Sequence, residues 1–221
     1  MRKYILMGVQ GSGKGTQAKR LQKELDIVHI SVGDVFRWHI QSHTKLGARV
    51  KRFLAEGKLV PDEVVDEVVK ARLDGHDWNY GFVLDGFPRS RVQAEFFLEA
   101  YDIDAVVAIE LPDSVAVDRM LSRRLCSGCG LDYNLIQHRP RREDVCDVCG
   151  GKLVSRPDDT PEAIAGRIAD YHTRTRPILE LFRRKELIVT VDGTPPPEEV
   201  HRSLRRKLGL PAPPLAAASL A

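Results

Sequence analysis

Lys3-Tyr4-Ile5-Leu6-Met7 followed by Gly8-Val9-Gln10-Gly11-Ser12-Gly13-Lys14-Gly15-Thr16 is the stretch that decides the fold. The first five residues form a short apolar run that reads as a buried parallel strand, and a helical pattern follows the glycines. Glycines here let the main chain approach a ligand closely, and unpaired N–H groups at a helix N-terminus converge on an anion. Gly11, Ser12, Gly13, Lys14, Gly15 and Thr16 are therefore a candidate phosphate cradle. Lys14 offers a mobile positive charge to β- and γ-phosphates, and the Thr16 hydroxyl or the Gly15 amide completes the cradle. The Ser or Thr that commonly follows such a lysine is absent. A plain glycine-rich turn is the competing reading, and the strand before the loop and helix after it tell against that.

Working outward, apolar runs at Ile5–Met7, Phe82–Leu84, Val106–Ile109 and Ile188–Val191 read as core strands separated by helical patterns. Such alternation implies an α/β fold with a parallel central sheet and helices on both faces. One helix carries Leu46, Val50, Phe53 and Leu54 and stops at Gly57; the next starts at Pro61 and carries Val64, Val65, Val68 and Leu73. A third is expected from Asp113 to Arg124, and a fourth opens with the cap, first-turn proline and acidic residue of Thr160-Pro161-Glu162. Pro177 is expected to kink or divide that fourth helix. The uncharged stretch 211–221 lacks amphipathic pattern and is expected to be disordered.

At 221 residues, with 43% hydrophobic content and a net charge of +3, the chain suits one α/β core with an inserted lobe. The charge demands no nucleic-acid partner. No run reaches the roughly 18 apolar residues of a membrane span, and no signal-peptide apolar region opens the chain, so a cytoplasmic protein is expected.

Two Cys-x2-Cys pairs, Cys126/Cys129 and Cys146/Cys149, are separated by sixteen residues, each pair followed by glycine. Each pair can present two thiolates to one point, and four thiolates close a tetrahedral shell around zinc. Paired disulfides fit a cytoplasmic protein poorly, and a redox dithiol needs only one such pair. With all four positions filled by cysteine the metal is structural, and the same shell suits iron. His138, lying between the pairs, reads as a surface residue.

Arginines stand in recurring contexts: Ser31-Val32-Gly33-Asp34 before Arg37, Asp85-Gly86-Phe87-Pro88 before Arg89, and Val117-Asp118 before Arg119. Together with Gly57-Lys58-Leu59-Val60, Gln93, Asp158-Asp159, Tyr171-His172 and Asp192-Gly193-Thr194, they make the chain from Arg2 to Leu210 resemble the adenylate kinases of the long-lid bacterial kind. The resemblance implies a P-loop nucleoside-monophosphate-kinase-like three-layer fold: a core at 1–30, 61–122 and 161–210, an AMP-binding domain at 31–60 and a zinc-binding lid at 123–160. It also implies reversible phosphoryl transfer from MgATP to AMP giving two ADP, by a monomer without nucleic-acid or membrane partners.

Residue by residue, the resemblance implies that Gly11 to Thr16 bind ATP phosphates and that Lys14 contacts the transferring group. Arg119 stacks on the ATP base, with Asp132, Tyr133 and Pro195 on the same side. Arg37 and Arg89 clamp the monophosphate, while Arg123, Arg156 and Arg167 close over the transferring group, Arg156 and Arg167 also facing AMP. Gln93 reads the AMP base, helped by Val32, by the Lys58-Leu59-Val60 backbone and by Gly86, with Phe87 and Pro88 alongside. Asp85 holds the magnesium shell through water.

Three positions depart from the family pattern: Gln10 for proline in the loop, Val32 for threonine near the AMP base, and Pro195 for lysine near the ATP base. Two other readings stand beside this one. One is a kinase of UMP, CMP or GMP, against which the Gln93 amide favours adenine. The other is a zinc-ribbon nucleic-acid-binding switch using Arg139, Arg141 and Arg142, a lobe whose lone aromatic, Tyr133, is poor for base stacking.

Overall fold

The computed structural model describes residues 2–77, 80–156 and 158–211. The opening strand, β1 (Lys3–Met7), leads into α1 (Lys14–Leu25), β2 (Val28–Ser31), α2 (Val32–Gln41), α3 (Lys45–Ala55) and α4 (Asp62–Asp74). Next come β3 (Phe82–Asp85), α5 (Arg91–Ala100), β4 (Ala105–Glu110) and α6 (Asp113–Leu121). Three short strands follow, β5 (Arg123–Cys126), β6 (Asp132–Asn134) and β7 (Leu153–Val154). The chain then returns through α7 (Pro161–Asp170), a π-helical turn (Tyr171–Thr175), α8 (Ile178–Arg184), β8 (Ile188–Asp192) and α9 (Pro197–Lys207).

The strands form a parallel sheet of order β2-β3-β1-β4-β8, with β1 at its centre. Alternate residues of a strand face opposite sides, so an apolar run through the middle of a sheet feeds two cores at once. Ile5 and Met7 join Phe36, Val69, Phe97 and Phe182 on one face. Tyr4 and Leu6 join Ala18 and Leu21 of α1 and Val200 and Leu204 of α9 on the other. The expected three-layer α/β architecture follows from that split. A separate antiparallel sheet, β6-β5-β7, carries the cysteine lobe.

Local signals explain most boundaries. Ser31, Thr44, Ser90 and Thr160 accept hydrogen bonds from the backbone N–H three residues on, capping α2, α3, α5 and α7. Two expectations need correction, and one strand lay outside them. The third helix ends at Leu121, not Arg124, because Arg123–Leu125 pair with Asp132–Asn134 and strand pairing overrides the helical pattern. The edge strand β2 has too few apolar residues to stand out from the sequence. The division of the fourth helix begins at Tyr171, where Arg176 N–H reaches back five residues to the Tyr171 carbonyl at 2.7 Å, and Pro177 then caps α8. The expected disordered stretch, 211–221, lies outside the described residues beyond Pro211. Among the described residues no helix is long and apolar enough to cross a membrane.

Phe97, fully buried, packs edge-on against Phe82 and Phe87 and stacks on Tyr101. Phe97→Ala is expected to cost about 3–5 kcal/mol of unfolding free energy through the cavity it leaves. Urea titration checks this as a lower midpoint at unchanged slope.

Candidate active site

All five parallel strands end on one edge, where ligands bind in open α/β sheets. At that edge Asp85 closes β3 beside Leu6 of β1 and Ser31 of β2. The loop from Gly8 to Gly13 turns with positive φ at Gly8, Gly11 and Gly13, and the φ of 85° at Gly11 and 96° at Gly13 favour glycine. Gly13 caps α1 without any side-chain hydrogen bond, so the first amides of α1 stay available to an anion. The absent Ser or Thr after Lys14 also has a spatial counterpart. A Cβ on Gly15 would stand 3.2 Å from Asp85 Oδ2.

Lys14 lies folded into the loop, its Nζ donating to the carbonyls of Gly8 and Val9, both at 2.9 Å. Burial pushes its pKa from the ordinary 10.5 down to about 8; Asp85 opposes this, while Arg89 and Arg123 reinforce it. Arg89 is likewise pushed down, by burial first, with Asp85 opposing and Arg167 and Arg37 adding like charge. Cations short of counter-charge in a half-dry place are a site for an anion.

Two adjoining clefts form one trough along this edge. The outer cleft, roughly 560 Å³ with its mouth included, is lined by Val32, Phe36, Leu54, Val60 and Val65 at one end and by Arg37, Asp158 and Arg167 at the other, with Gln93 on its wall. Gly86, Arg89 and Arg167 continue into the inner cleft, which reaches Lys14, Phe87, Pro88, Tyr171 and Thr175. Arg89 is held by its backbone and side chain together: its N–H donates to Gln93 Oε1 at 2.7 Å, its carbonyl accepts from Thr175 Oγ1 at 3.0 Å, and its Nε donates to the Gly86 carbonyl at 2.8 Å. Arg37 donates to Asp34 at 2.5 Å.

The cysteine lobe leans over the trough through ion pairs. Arg123 forks onto Asp159 at 2.8–2.9 Å, and Arg167 bridges Asp159 at 2.9 Å and Asp158 at 2.6 Å. Arg156 donates to Asp132 at 2.7 Å, whose other oxygen accepts from Lys19 of α1 at 3.3 Å. Arg119 is 8% exposed, its guanidinium pinned by the carbonyls of Gly193 at 2.8 Å and Thr194 at 2.9 Å, next to Pro195. Tyr133 follows Asp132 on β6. Its side chain turns into the lobe, the hydroxyl donating to Cys146 Sγ at 3.5 Å and accepting from Asp147 N–H at 2.8 Å.

The four sulfurs lie within 4.8 Å of one another, Cys126–Cys149 at 3.4 Å and Cys129–Cys146 at 3.6 Å, and none is in a disulfide. Four thiolates around zinc at about 2.3 Å stand about 3.8 Å apart, so the set fits a tetrahedral ion. The two knuckles match: Gly130 N–H bonds the Cys126 carbonyl and Gly150 N–H the Cys146 carbonyl, each at 3.0 Å. A Cβ on Gly151 would sit 2.9 Å from Cys126 Sγ, so glycine there leaves room for the sulfur cluster. His138 is exposed, stacked on the Tyr133 ring and outside the cluster.

Residues 6–187 match the family model described as Adenylate kinase. This chain belongs to the adenylate kinase family. It is 41% identical over 213 residues to the adenylate kinase of Caldicellulosiruptor bescii, covering 94% of this chain and 99% of that one. It is 43% identical over 210 residues to that of Clostridium tetani, covering 93% and 97%. With the adenylate kinase of Lachnospira eligens it shares 40% identity over 212 residues, covering 94% and 100%.

Within this family's fold, sequence reasoning passed over four side chains that shape the trough: Lys19, Asp34, Asp62 and Thr175. Asp34 and Asp62 resemble ordinary first-turn helix acids, and Thr175 and Lys19 carry no pattern at all. Only contact across the fold reveals them. Of the departures from the family pattern, Val32 is buried at the apolar end, and the buried Gln10 side-chain oxygen has no hydrogen-bond partner among the described residues.

With its folded pKa near 8, Lys14 leaves the unfolded chain holding more protons between pH 8 and 10.5. Its contribution to stability therefore rises with pH across that window. Lysine side-chain NMR of nucleotide-free protein is expected to find one resonance titrating near pH 8. Arg89→Ala should move that pKa up by removing a like charge, and Asp85→Asn should move it down.

Proposed function

We infer that the trough running from Gln93 to Lys14 is where this chain brings two nucleotides together. As a member of its family the chain catalyses ATP + AMP ⇌ 2 ADP. An AMP phosphate oxygen attacks the γ-phosphorus of ATP as the bond to the β-bridging oxygen breaks, and ADP leaves on each side. No side chain needs to form a covalent intermediate, so the protein's contribution is alignment and positive charge.

The observation that carries the assignment of ends is the order of groups along the trough. Lys14 and the open amides of α1 lie at one end and suit the ATP phosphates, with Arg119, Asp132 and Pro195 beside them. Arg89 lines both clefts and suits the shared middle. In our reading Arg37 and Arg89 hold the AMP phosphate, Arg123, Arg156 and Arg167 surround the transferring group, and the apolar end with Gln93 and the Lys58–Val60 backbone takes the adenine. The division into core at 1–30, 61–122 and 161–210, AMP-binding segment at 31–60 and lid at 123–160 follows from the same roles. Asp85, an oxygen donor beside Gly15, would hold through water the magnesium that arrives with ATP, an ion that would neutralise charge on the phosphate oxygens. A lid serves this chemistry by excluding water that would compete with AMP. The wanted occupant of the four cysteines is a structural zinc. We also place the protein in the cytoplasm as a monomer.

Lys14→Ala and Arg89→Ala are each expected to lower kcat about a hundredfold or more while the circular dichroism spectrum is kept. A coupled assay of MgATP-dependent AMP turnover checks this. Wild-type rates in either variant would overturn the assignment.

For the lid, metal analysis is expected to return one zinc per chain, and X-ray absorption only sulfur ligands at about 2.3 Å. Chelation should make the lobe a protease target first, because metal binding supplies part of its folding free energy.

A further inference from the structure

Gln93 is 2% exposed, and its amide has two partners that cannot exchange roles. Its Nε2 donates to Asp62 Oδ1 at 2.7 Å, and its Oε1 accepts from the Arg89 backbone N–H at 2.7 Å. An amide can ordinarily rotate by half a turn and swap donor for acceptor. Here the rotated amide would set its NH2 against a backbone N–H and its oxygen against a carboxylate. Each partner alone discourages rotation; together they leave one orientation. Asp62 achieves this from outside the outer cleft, at the first turn of α4, thirty-one residues away along the chain.

We propose that Asp62 is a specificity-determining positioning residue: by fixing the direction of the Gln93 amide, it makes the pocket accept a 6-aminopurine and reject a 6-oxopurine. The proposal rests on the reading that Gln93 faces the base of AMP. With its inner hydrogen and lone pair committed, the amide has one N–H and one lone pair left for a ligand. Adenine presents an acceptor at N1 and a donor at its 6-amino group. Hypoxanthine presents the reverse, a donor at N1 and an acceptor at its 6-oxygen. A rotating amide would serve both bases equally well, and a locked one serves a single pattern. A buried polar group left facing the wrong partner is a strong basis for rejection. The other side chains at that end, Val32, Phe36, Leu54, Val60 and Val65, are apolar and sense shape alone, so they do not separate two purines of nearly equal size.

The test uses the full chain with MgATP and compares kcat/KM for AMP and for IMP, which differ only in the 6-substituent pattern. Wild type, Asp62→Asn, Asp62→Ala and Gln93→Ala are assayed, with melting temperatures to confirm folding. Asp62→Asn keeps the shape but can donate as well as accept, so it no longer opposes the rotated amide, even where Asp62→Ala folds poorly. The AMP-to-IMP ratio is expected to fall about tenfold in both Asp62 variants, the Arg89 N–H still holding part of the discrimination. KM for MgATP should stay unchanged, whereas general loosening of α4 would lower both acceptors alike and leave the ratio in place. A ratio within twofold of wild type in both Asp62 variants overturns the proposal. If Gln93→Ala nevertheless collapses the ratio, only the role of Asp62 fails; if Gln93→Ala leaves it standing too, the base reading fails with it.

Discussion

Like charge crowded into a half-dry trough is the constraint on which the active edge depends. Lys14, Arg37, Arg89, Arg123, Arg156 and Arg167 face one region, and burial alone already disfavours charge on Lys14, Arg89 and Arg156. Such a cluster folds only where acceptors are supplied locally. Carbonyls of Gly8, Val9 and Gly86 and carboxylates of Asp34, Asp132, Asp158 and Asp159 do so. Those acceptors are weaker counter-charges than phosphate would be. The arrangement therefore holds the cations in place while leaving them a reason to exchange partners when nucleotide arrives.

The lobe over the trough answers a different physical problem. Its buried cluster is Cys126, Tyr133, Cys146 and Leu153, with Leu131 against it, which is too little apolar surface to stabilise a fold. Four clustered sulfurs stand in place of hydrocarbon at its centre. Tyr133 belongs to that centre, since its hydroxyl bonds Cys146. The ion pairs of Arg123 with Asp159 and of Arg156 with Asp132 tie the lobe's own segments together, Arg167 of α7 joins the lobe to the trough through Asp158 and Asp159, and Asp132 reaches α1 through Lys19.

Backbone partners matter as much as side chains here. Arg89 is fixed through its own N–H and carbonyl, by Gln93 and Thr175, and the π-helical turn at Tyr171–Thr175 places Thr175 where it can reach. Extra residues in a helix are common beside functional sites for this reason: they redirect one side chain without disturbing the packing on either side.

The sequence by itself determined the features whose causes are local. A strand, three glycines and a lysine specify an anion-binding turn because geometry and amides lie within a dozen residues. Two Cys-x2-Cys knuckles specify a four-sulfur site because each folds on its own glycine. Caps at Thr160 and the alternating apolar runs specified the α/β layering in the same way. Tertiary structure alone decided what depends on partners far along the chain: the bond from the Gln93 amide to Asp62; the pose of Arg119, set by carbonyls of Gly193 and Thr194; and the inward turn of Tyr133. It also ended the helix at Leu121, where pairing with β6 outweighed a helical pattern. Propensity and spacing act over one or two turns, whereas a hydrogen-bond partner is whatever the sheet order brings to the same edge.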